Sequence, residues 1–411
     1  MTQTIKEIVQ RIIRLREKES HQITLLAVCP NSEAVLEAAI QSAEKHQIPL
    51  LLAATLNQVD RDGGYTHWTA DQFIQKIKEF SNQYHVTVPI YPCLDHGGPW
   101  LKDIHSTKQL SLKETMEELK LSLTAFLKAG YRLLHIDPTI DRNLPKGTMP
   151  PVDIIVMRTI ELIQHAESER KRMKMPPISY EVGSEEVHGG MADLERFHFF
   201  LKQLHAEMEN AGLGAQWPCF IVAQVGTDLH TTRFDAEIAS KLYSIVSPHG
   251  SLIKGHYSDW VENPQDYPRS GMGGANVGPE FTAVEVRALM ELEKEEEILA
   301  SGKNTEGLSR FGENLQQAVI ESDRWKKWLQ PSEEKLGFIE LSAERKRWLI
   351  ETGARYIWTE PGILESRRVL YENISQKINN PNQWVVSKIA DRIGHYVTSF
   401  NLENSWDYLK A

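Results

Sequence analysis

Residues 86–98 read Val86-Thr87-Val88-Pro89-Ile90-Tyr91-Pro92-Cys93-Leu94-Asp95-His96-Gly97-Gly98, an apolar run that breaks off in an acid, an imidazole and two glycines. A short continuous apolar run suits a strand buried on both faces of a parallel sheet. Helical-period segments flank it, Ala70–Tyr84 before and Leu112–Ala129 after. The same unit recurs along the chain. Apolar runs lie at Ile23–Val28, Pro49–Ala54, Val86–Pro92, Leu133–Ile136, Ile178–Val182, Phe220–Ala223, Leu252–Lys254 and, most weakly, Ala275–Val277. Between them fall the helix-like segments Glu33–His46, Val152–Met173, Leu194–Ala211 and Ala236–Ser247. Eight such units over about 260 residues predict an α/β fold, a closed (β/α)8 TIM barrel. The alternative is an open doubly wound sheet. Its phosphate fingerprint is missing, since the turn Ala27-Val28-Cys29-Pro30-Asn31-Ser32 contains no glycine.

The barrel with an N-terminal helix is expected over residues 1–285 and a helical C-terminal extension over 286–411, where the chain turns Glu/Lys-rich. The acidic run Glu293–Glu297 reads as a solvated helix face. Trp325, Trp328, Trp348, Trp358 and Trp406 read as core packing of that extension on the barrel or on a partner subunit.

Composition excludes several classes. With 41% hydrophobic and 25% charged residues the chain is an ordinary globular protein rather than a disordered or fibrous one. Lys+Arg 46 against Asp+Glu 56 gives 46 − 56 = −10, and no basic cluster interleaves with aromatics, which argues against nucleic acid. No apolar run is long enough to span a membrane. The N-terminal stretch lacks the apolar core of a signal peptide, so a cytoplasmic location is expected. Three scattered cysteines, Cys29, Cys93 and Cys219, fit neither a disulfide framework nor a zinc ribbon and read as small buried hydrophobes.

Barrel enzymes carry their chemistry at the carboxyl ends of the strands. Strand two ends at Asn57 and Gln58, strand three at Asp95, His96, Gly97 and Gly98, and strand four at His135 and Asp137. Strand five ends at Glu181, with Glu185 beyond it, and strand six runs into Gln224, Asp228 and His230. Strand seven ends at His256, followed by Ser258 and Asp259, and Asn276 closes strand eight after Gly273-Gly274. Three histidines from three strands, His96, His230 and His256, can present imidazole nitrogens to one divalent metal and leave a position open, the arrangement of a catalytic site. Glycine pairs at the same mouth permit close backbone approach to a ligand.

These residues carry a resemblance. Leu94-Asp95-His96-Gly97 resembles the strand-three motif of class II, zinc-dependent ketose-bisphosphate aldolases, and Tyr180-Glu181-Val182-Gly183-Ser184-Glu185-Glu186 is similar to their strand-five segment. A set spread over nearly the whole barrel resembles the Z-type, traditionally non-catalytic, subunit of class II tagatose-bisphosphate aldolase. The set comprises Ala54-Thr55-Leu56-Asn57-Gln58-Val59, Gly63-Gly64-Tyr65-Thr66, Asp95-His96-x-Gly98-Pro99, His135-Ile136-Asp137, His256-x-Ser258-Asp259 and Val277-Gly278-Pro279. The region beyond Phe281 matches poorly.

The resemblance implies a divalent metal, zinc first with manganese or cobalt as alternatives, acting as a Lewis acid on a ketose. It implies retro-aldol C3–C4 chemistry, read out as cleavage, condensation or C4 epimerisation. In that reading Asp95 moves the C4-hydroxyl proton, His96, His230 and His256 hold the metal, and Glu181 serves as a fourth ligand or orienter with a catalytic role. The remaining strand-end residues named above, apart from His135, are expected to contact substrate, and His188, in the acidic loop, is near enough in sequence to join them. Phosphate recognition is left to Gly271-Met272-Gly273-Gly274 and Arg269, because Tyr257-Ser258-Asp259-Trp260 follows His256 where a Gly-Gly-Ser-Gly-like loop is expected. An unphosphorylated sugar or sugar acid therefore stays open as a substrate. The alternative function is a subunit that stabilises a separate catalytic aldolase chain. A homo-oligomer is expected in either case.

Overall fold

The computed structural model describes residues 3–19, 21–145, 148–185, 189–300 and 307–410. Eight strands close into one barrel: β1 Leu25–Val28, β2 Leu50–Thr55, β3 Ile90–Gly97, β4 Leu133–Ile136, β5 Ser179–Gly183, β6 Phe220–Val222, β7 Leu252–Gly255 and β8 Gly274–Val277. Every neighbouring pair is parallel, and β1 pairs with β8 through Leu25↔Gly274 to Val28↔Val277, which leaves no free edge. The predicted TIM barrel is the observed one.

Seven strands overlap their predicted runs closely; β3 starts later and runs through Asp95-His96-Gly97. The apolar run marks only the part of a strand that faces helices. The polar tip, which faces the mouth, continues the ladder beyond it.

Helices start where capping chemistry satisfies their first amides. Ser32 accepts from Val35 N–H ahead of Glu33–His46, and Ser111 forms a reciprocal capping box with Glu114 ahead of Leu112–Ala129. The N-terminal helix Ile5–Glu19 lies against the strand starts: Lys6 N–H donates to Ser179 Oγ at 2.9 Å, and Tyr91 OH to Gln3 C=O at 2.8 Å. It thus stoppers the end of the barrel opposite the mouth.

The last barrel helix, Pro279–Ala300, runs through position 285, and the later helices pack onto it and onto Glu33–His46. Tyr396 OH, in the helix Pro381–Ser399, donates to Ser258 C=O at 3.0 Å and to Glu280 Oε2 at 2.6 Å. The acidic run is not simply a solvated face. Glu296 is buried and accepts from Ser309 N–H and Oγ–H, and Glu293 accepts from Gly312 N–H. A carboxylate that satisfies loop amides earns its burial this way. No helix among the described residues is long and apolar enough to cross a membrane.

Candidate active site

The ladder between β3 and β4 slips between Leu94 and Gly97, a bulge that re-aims side chains. Strict alternation would send Asp95 and His96 to opposite faces; with the slip both reach the mouth, and His96 adopts φ 50°. A non-glycine residue in the left-handed region costs roughly 1 kcal/mol or more, a strain typical of functional positions. Gly97 and Gly98 make the slip possible: a Cβ on Gly97 would stand 2.6 Å from His135 C=O, and one on Gly98 would collide with Asp137 C=O. Both let the strand ends pack closely, and neither lines the cavity at the mouth, where the sequence reading expects substrate contact.

Asp95, His96, His135 and His256 each offer one ligand atom, and these atoms lie within 4.8 Å of one another. His96 Nδ1 is 2.6 Å from Asp137 Oδ2, whose partner oxygen accepts from Thr139 Oγ–H at 2.6 Å. His256 Nε2 is 2.8 Å from Glu181 Oε1. With those ring nitrogens as donors to carboxylates, His96 Nε2 and His256 Nδ1 are left facing each other at 3.0 Å. Two lone pairs so close repel unless a proton or a cation lies between them.

The surrounding charges favour a proton on His96 over one on His256. Burial opposes the charge on His96, but Asp95, Asp137 and Glu181 outweigh burial and raise its pKa to about 9. Burial, with His96 and Lys254 nearby, lowers that of His256 to about 4. A cation would replace the shared proton. Two nitrogens bound to one zinc at about 2.0–2.1 Å in a tetrahedron stand about 3.4 Å apart, near the spacing seen. His135 Nε2 and Asn276 Oδ1 are buried polar atoms without a hydrogen-bond partner among the described residues, a further sign that the pocket is built for something more. The donor set fits a divalent cation, with carboxylates orienting two of the imidazoles from behind.

Asp95 remains ionised: burial alone would raise its pKa, yet His96, His256 and His135 hold it well below the usual range. Its Oδ1 is 3.3 Å from His135 Nδ1 and 3.6 Å from His256 Nδ1.

Beneath this layer lies a charge pair that the sequence reading missed. Lys254 on β7 is buried, and its Nζ donates to Glu181 Oε2 at 2.8 Å and Oε1 at 3.1 Å. Both shifts favour the ionised pair despite burial: Lys254 is raised and Glu181 lowered. Glu181 is therefore committed to Lys254 and His256 and orients an imidazole from below the metal set. A lysine inside the apolar run Leu252–Lys254 was the available signal, since a buried charge needs a counter-charge.

His230 is a correction. It does not join the cluster: Asp228 Oδ1 accepts from the backbone N–H of both His230 and Thr231, and the turn sends the exposed imidazole outward onto Trp348, ring centroids 5.2 Å apart. His135 stands in its place. It sits at the end of β4 with Glu181 as its register partner on β5.

Other expected substrate contacts divide. Asn57, Gln58, Asp137, Asp259 and Asn276 line a cavity of about 220 Å³ that also holds Asp95, His96 and His256. Asn57 and Gln58 spend their amides on the protein, on Leu101 C=O and Asp103 N–H and on Thr55 N–H and Asn31. Asp259 Oδ1 accepts from Gly278 and Glu280 N–H, capping the helix Pro279–Ala300, and burial pushes its pKa up to about 7.

Glu185, Gln224, Asp228 and Ser258 do not line that cavity. Glu185 accepts from Gln224 N–H, and Ser258 lies beneath the Tyr267 hydroxyl. Gly273 and Gly274 make room for Leu252 and for the Lys254 stem, and Arg269 is exposed beside Asp266; neither the glycines nor the arginine reaches the cavity. His188 lies outside the described residues. Cys29, half-buried, lines the cavity, but burial raises its thiol pKa and makes it a poor nucleophile.

The outer wall comes from the C-terminal region, which the sequence reading assigned to packing alone. Arg324, Lys327 and Trp328, from the turn Arg324–Trp328, and Arg355 and Tyr356, from the turn Ala354–Tyr356, line the same cavity. The guanidinium groups of Arg324 and Arg355 each lie 4.5 Å from the centroid of the Tyr356 ring, and Arg355 lies 4.8 Å from that of Trp328.

Solved structures place the architecture among known barrels. A crystal structure described as a probable tagatose 6 phosphate kinase from Sinorhizobium meliloti 1021 superposes with a TM-score of 0.73 at 21% identity, over 92% of this chain and 100% of that one. A fructose-bisphosphate aldolase from Campylobacter jejuni gives a TM-score of 0.52 at 10% identity, over 97% and 95%. At these identities the likeness is one of fold. A family model, described as D-tagatose-1,6-bisphosphate aldolase subunit GatZ/KbaZ-like, matches residues 9–403, the C-terminal region included. The chain belongs to the GatZ/KbaZ-like family of D-tagatose-1,6-bisphosphate aldolase subunits.

Proposed function

We propose that this aldolase-related chain is itself a metal-dependent enzyme, acting on a ketose by making or breaking the C3–C4 bond. The observation that carries the reading is the group Asp95, His96, His135 and His256, four ligand atoms within 4.8 Å at the barrel mouth. A divalent cation, zinc in the first instance, would supply Lewis-acid polarisation of the ketose carbonyl. His96, His135 and His256 would hold it, with Asp137 and Glu181 fixing two of the rings. Asp95, ionised and facing the cavity, takes the proton of the C4 hydroxyl as the bond opens and returns it on closure. Trp328 and Tyr356 narrow the mouth and limit water. Turning the aldehyde before closure would give the C4 epimer from the same residues.

The family description favours a second reading, a subunit that acts with a catalytic partner chain. One experiment separates them. The purified chain is analysed for metal, then given fructose 6-phosphate, tagatose 6-phosphate and their bisphosphates with and without chelator. Near-stoichiometric metal and chelator-sensitive turnover support the enzyme, and the products separate cleavage from epimerisation. No turnover after metal is supplied, with activity restored only by a partner aldolase chain, supports the subunit.

A further inference from the structure

We propose that Arg324, Lys327 and Arg355 form an anion clamp for a phosphate carried by the substrate, and that Asp103 occupies the clamp when the phosphate is absent. The inference rests on the reading of the cavity as a sugar site and assigns the group on the sugar that the outer wall reads.

The three cations are one cluster, not three separate side chains. Arg324 and Arg355 share the Tyr356 ring, while Arg324 Nη2 and Lys327 Nζ share Asp103, at 2.9 Å on Oδ2 and 3.0 Å on Oδ1. Arg355 is buried, donates to Thr352 C=O at 2.5 Å and Tyr356 OH at 3.0 Å, and has no carboxylate in ion-pairing range among the described residues. Arg324 Nε has no hydrogen-bond partner among the described residues. Three positive charges thus share one ion-paired carboxylate at the cavity wall, with Asp259 the further acid that Arg355 acts on, and a phosphate dianion would add negative charge where the cations outnumber it.

The first amides of the helix Pro279–Ala300, which could hold an anion, are already taken by Asp259. Asp103 spans its two cations with one oxygen each, as a phosphate would. It also opens the short helix Asp103–Thr107, with its backbone N–H on Asn57 Oδ1 at 2.8 Å, so its carboxylate can leave without unanchoring the chain.

The exchange predicts effects of opposite sign, which a purely structural role for these residues would not give. Inorganic phosphate is titrated calorimetrically into metal-stripped protein, and fructose and fructose 6-phosphate into metal-loaded protein, using the wild type, Arg324→Gln, Lys327→Gln and Asp103→Asn. Metal content is measured for each. Wild type should bind fructose 6-phosphate about tenfold or more tighter than fructose. Arg324→Gln and Lys327→Gln should each lose about tenfold for phosphate and for fructose 6-phosphate, with fructose binding and metal content unchanged. Asp103→Asn should bind inorganic phosphate several-fold tighter.

Equal wild-type affinity for the two sugars, or an Asp103→Asn change in the same direction as the cation variants, overturns the clamp. Failure of the underlying reading looks different: no metal and no ketose bound, while phosphate still titrates the clamp.

Discussion

The inner and outer halves of the cavity are built by opposite means. The inner half is imidazole and carboxylate, brought together by parallel strand register: Asp95 and His96 from β3, His135 from β4, Glu181 from β5, Lys254 and His256 from β7. The outer half is guanidinium, ammonium and aromatic ring, carried over the mouth by two short turns of the C-terminal region. Where geometry is inherited from a barrel, a charge can be buried because its counter-charge sits on another strand of the same barrel, here two places round. Where it is assembled by loops, Arg324 and Lys327 stay part-exposed and find a carboxylate they can release, while Arg355 is buried against aromatic rings. In the proposed reading the first kind of site orients a reaction and the second selects what enters.

The largest test of this contrast is at its base. Lys254→Met leaves Glu181 buried without its cation and should cost about 3–5 kcal/mol, read as a lower denaturant midpoint. Loss of less than 1 kcal/mol would mean that the inner half does not depend on the pair.

Asp259, at the seam, tests the pH response. Its pKa is raised to about 7 in the folded chain, above the ordinary 3.8, so the folded state binds the extra proton. The contribution is complete below about pH 4 and is lost as pH rises through about 7, by up to about 4 kcal/mol. Asp259→Asn keeps an acceptor for the Gly278 and Glu280 amides without the charge. It should flatten stability between those pH values in thermal melts and leave the variant at least as stable as wild type at pH 8.

A smaller effect is expected from Asp137→Asn, which keeps an acceptor for His96 but weakens its orientation and basicity. Metal affinity should fall about 10–100-fold while the melting temperature barely moves. The smallest is His230→Ala. Metal content should be unchanged, whereas His135→Ala should abolish tight binding; the reverse result would return His230 to the ligand set.

The inner half was largely legible in the sequence, and the reason is periodicity. Apolar runs locate strands, and polar residues at their ends locate a mouth, so Asp95, His96, Asp137, Glu181 and His256 could be named before any coordinates. Two readings failed on direction rather than position. His135 and His230 both follow strands, but only the side-chain alternation of β4 turns the first inward, while the Asp228 turn turns the second out. Lys254 was hidden because a run of apolar neighbours masked its charge.

The outer half left almost no local trace. Trp328 and Tyr356 carry the same helical-period signal as core aromatics, and Arg324 and Arg355 look like ordinary surface charge. Their meeting with Asp103 depends on how helices separated by more than two hundred residues pack on the barrel, which no local pattern encodes.

The closure of β1 onto β8 has a consequence for synthesis. The barrel cannot seal until Val277 has been made, and the mouth cannot be finished until Tyr356 has followed. A nascent chain therefore passes through an interval in which the imidazole cage is complete and its cover is still being translated. On the proposed reading, a chain ending in that interval would carry the residues that hold a cation and lack those that select the sugar.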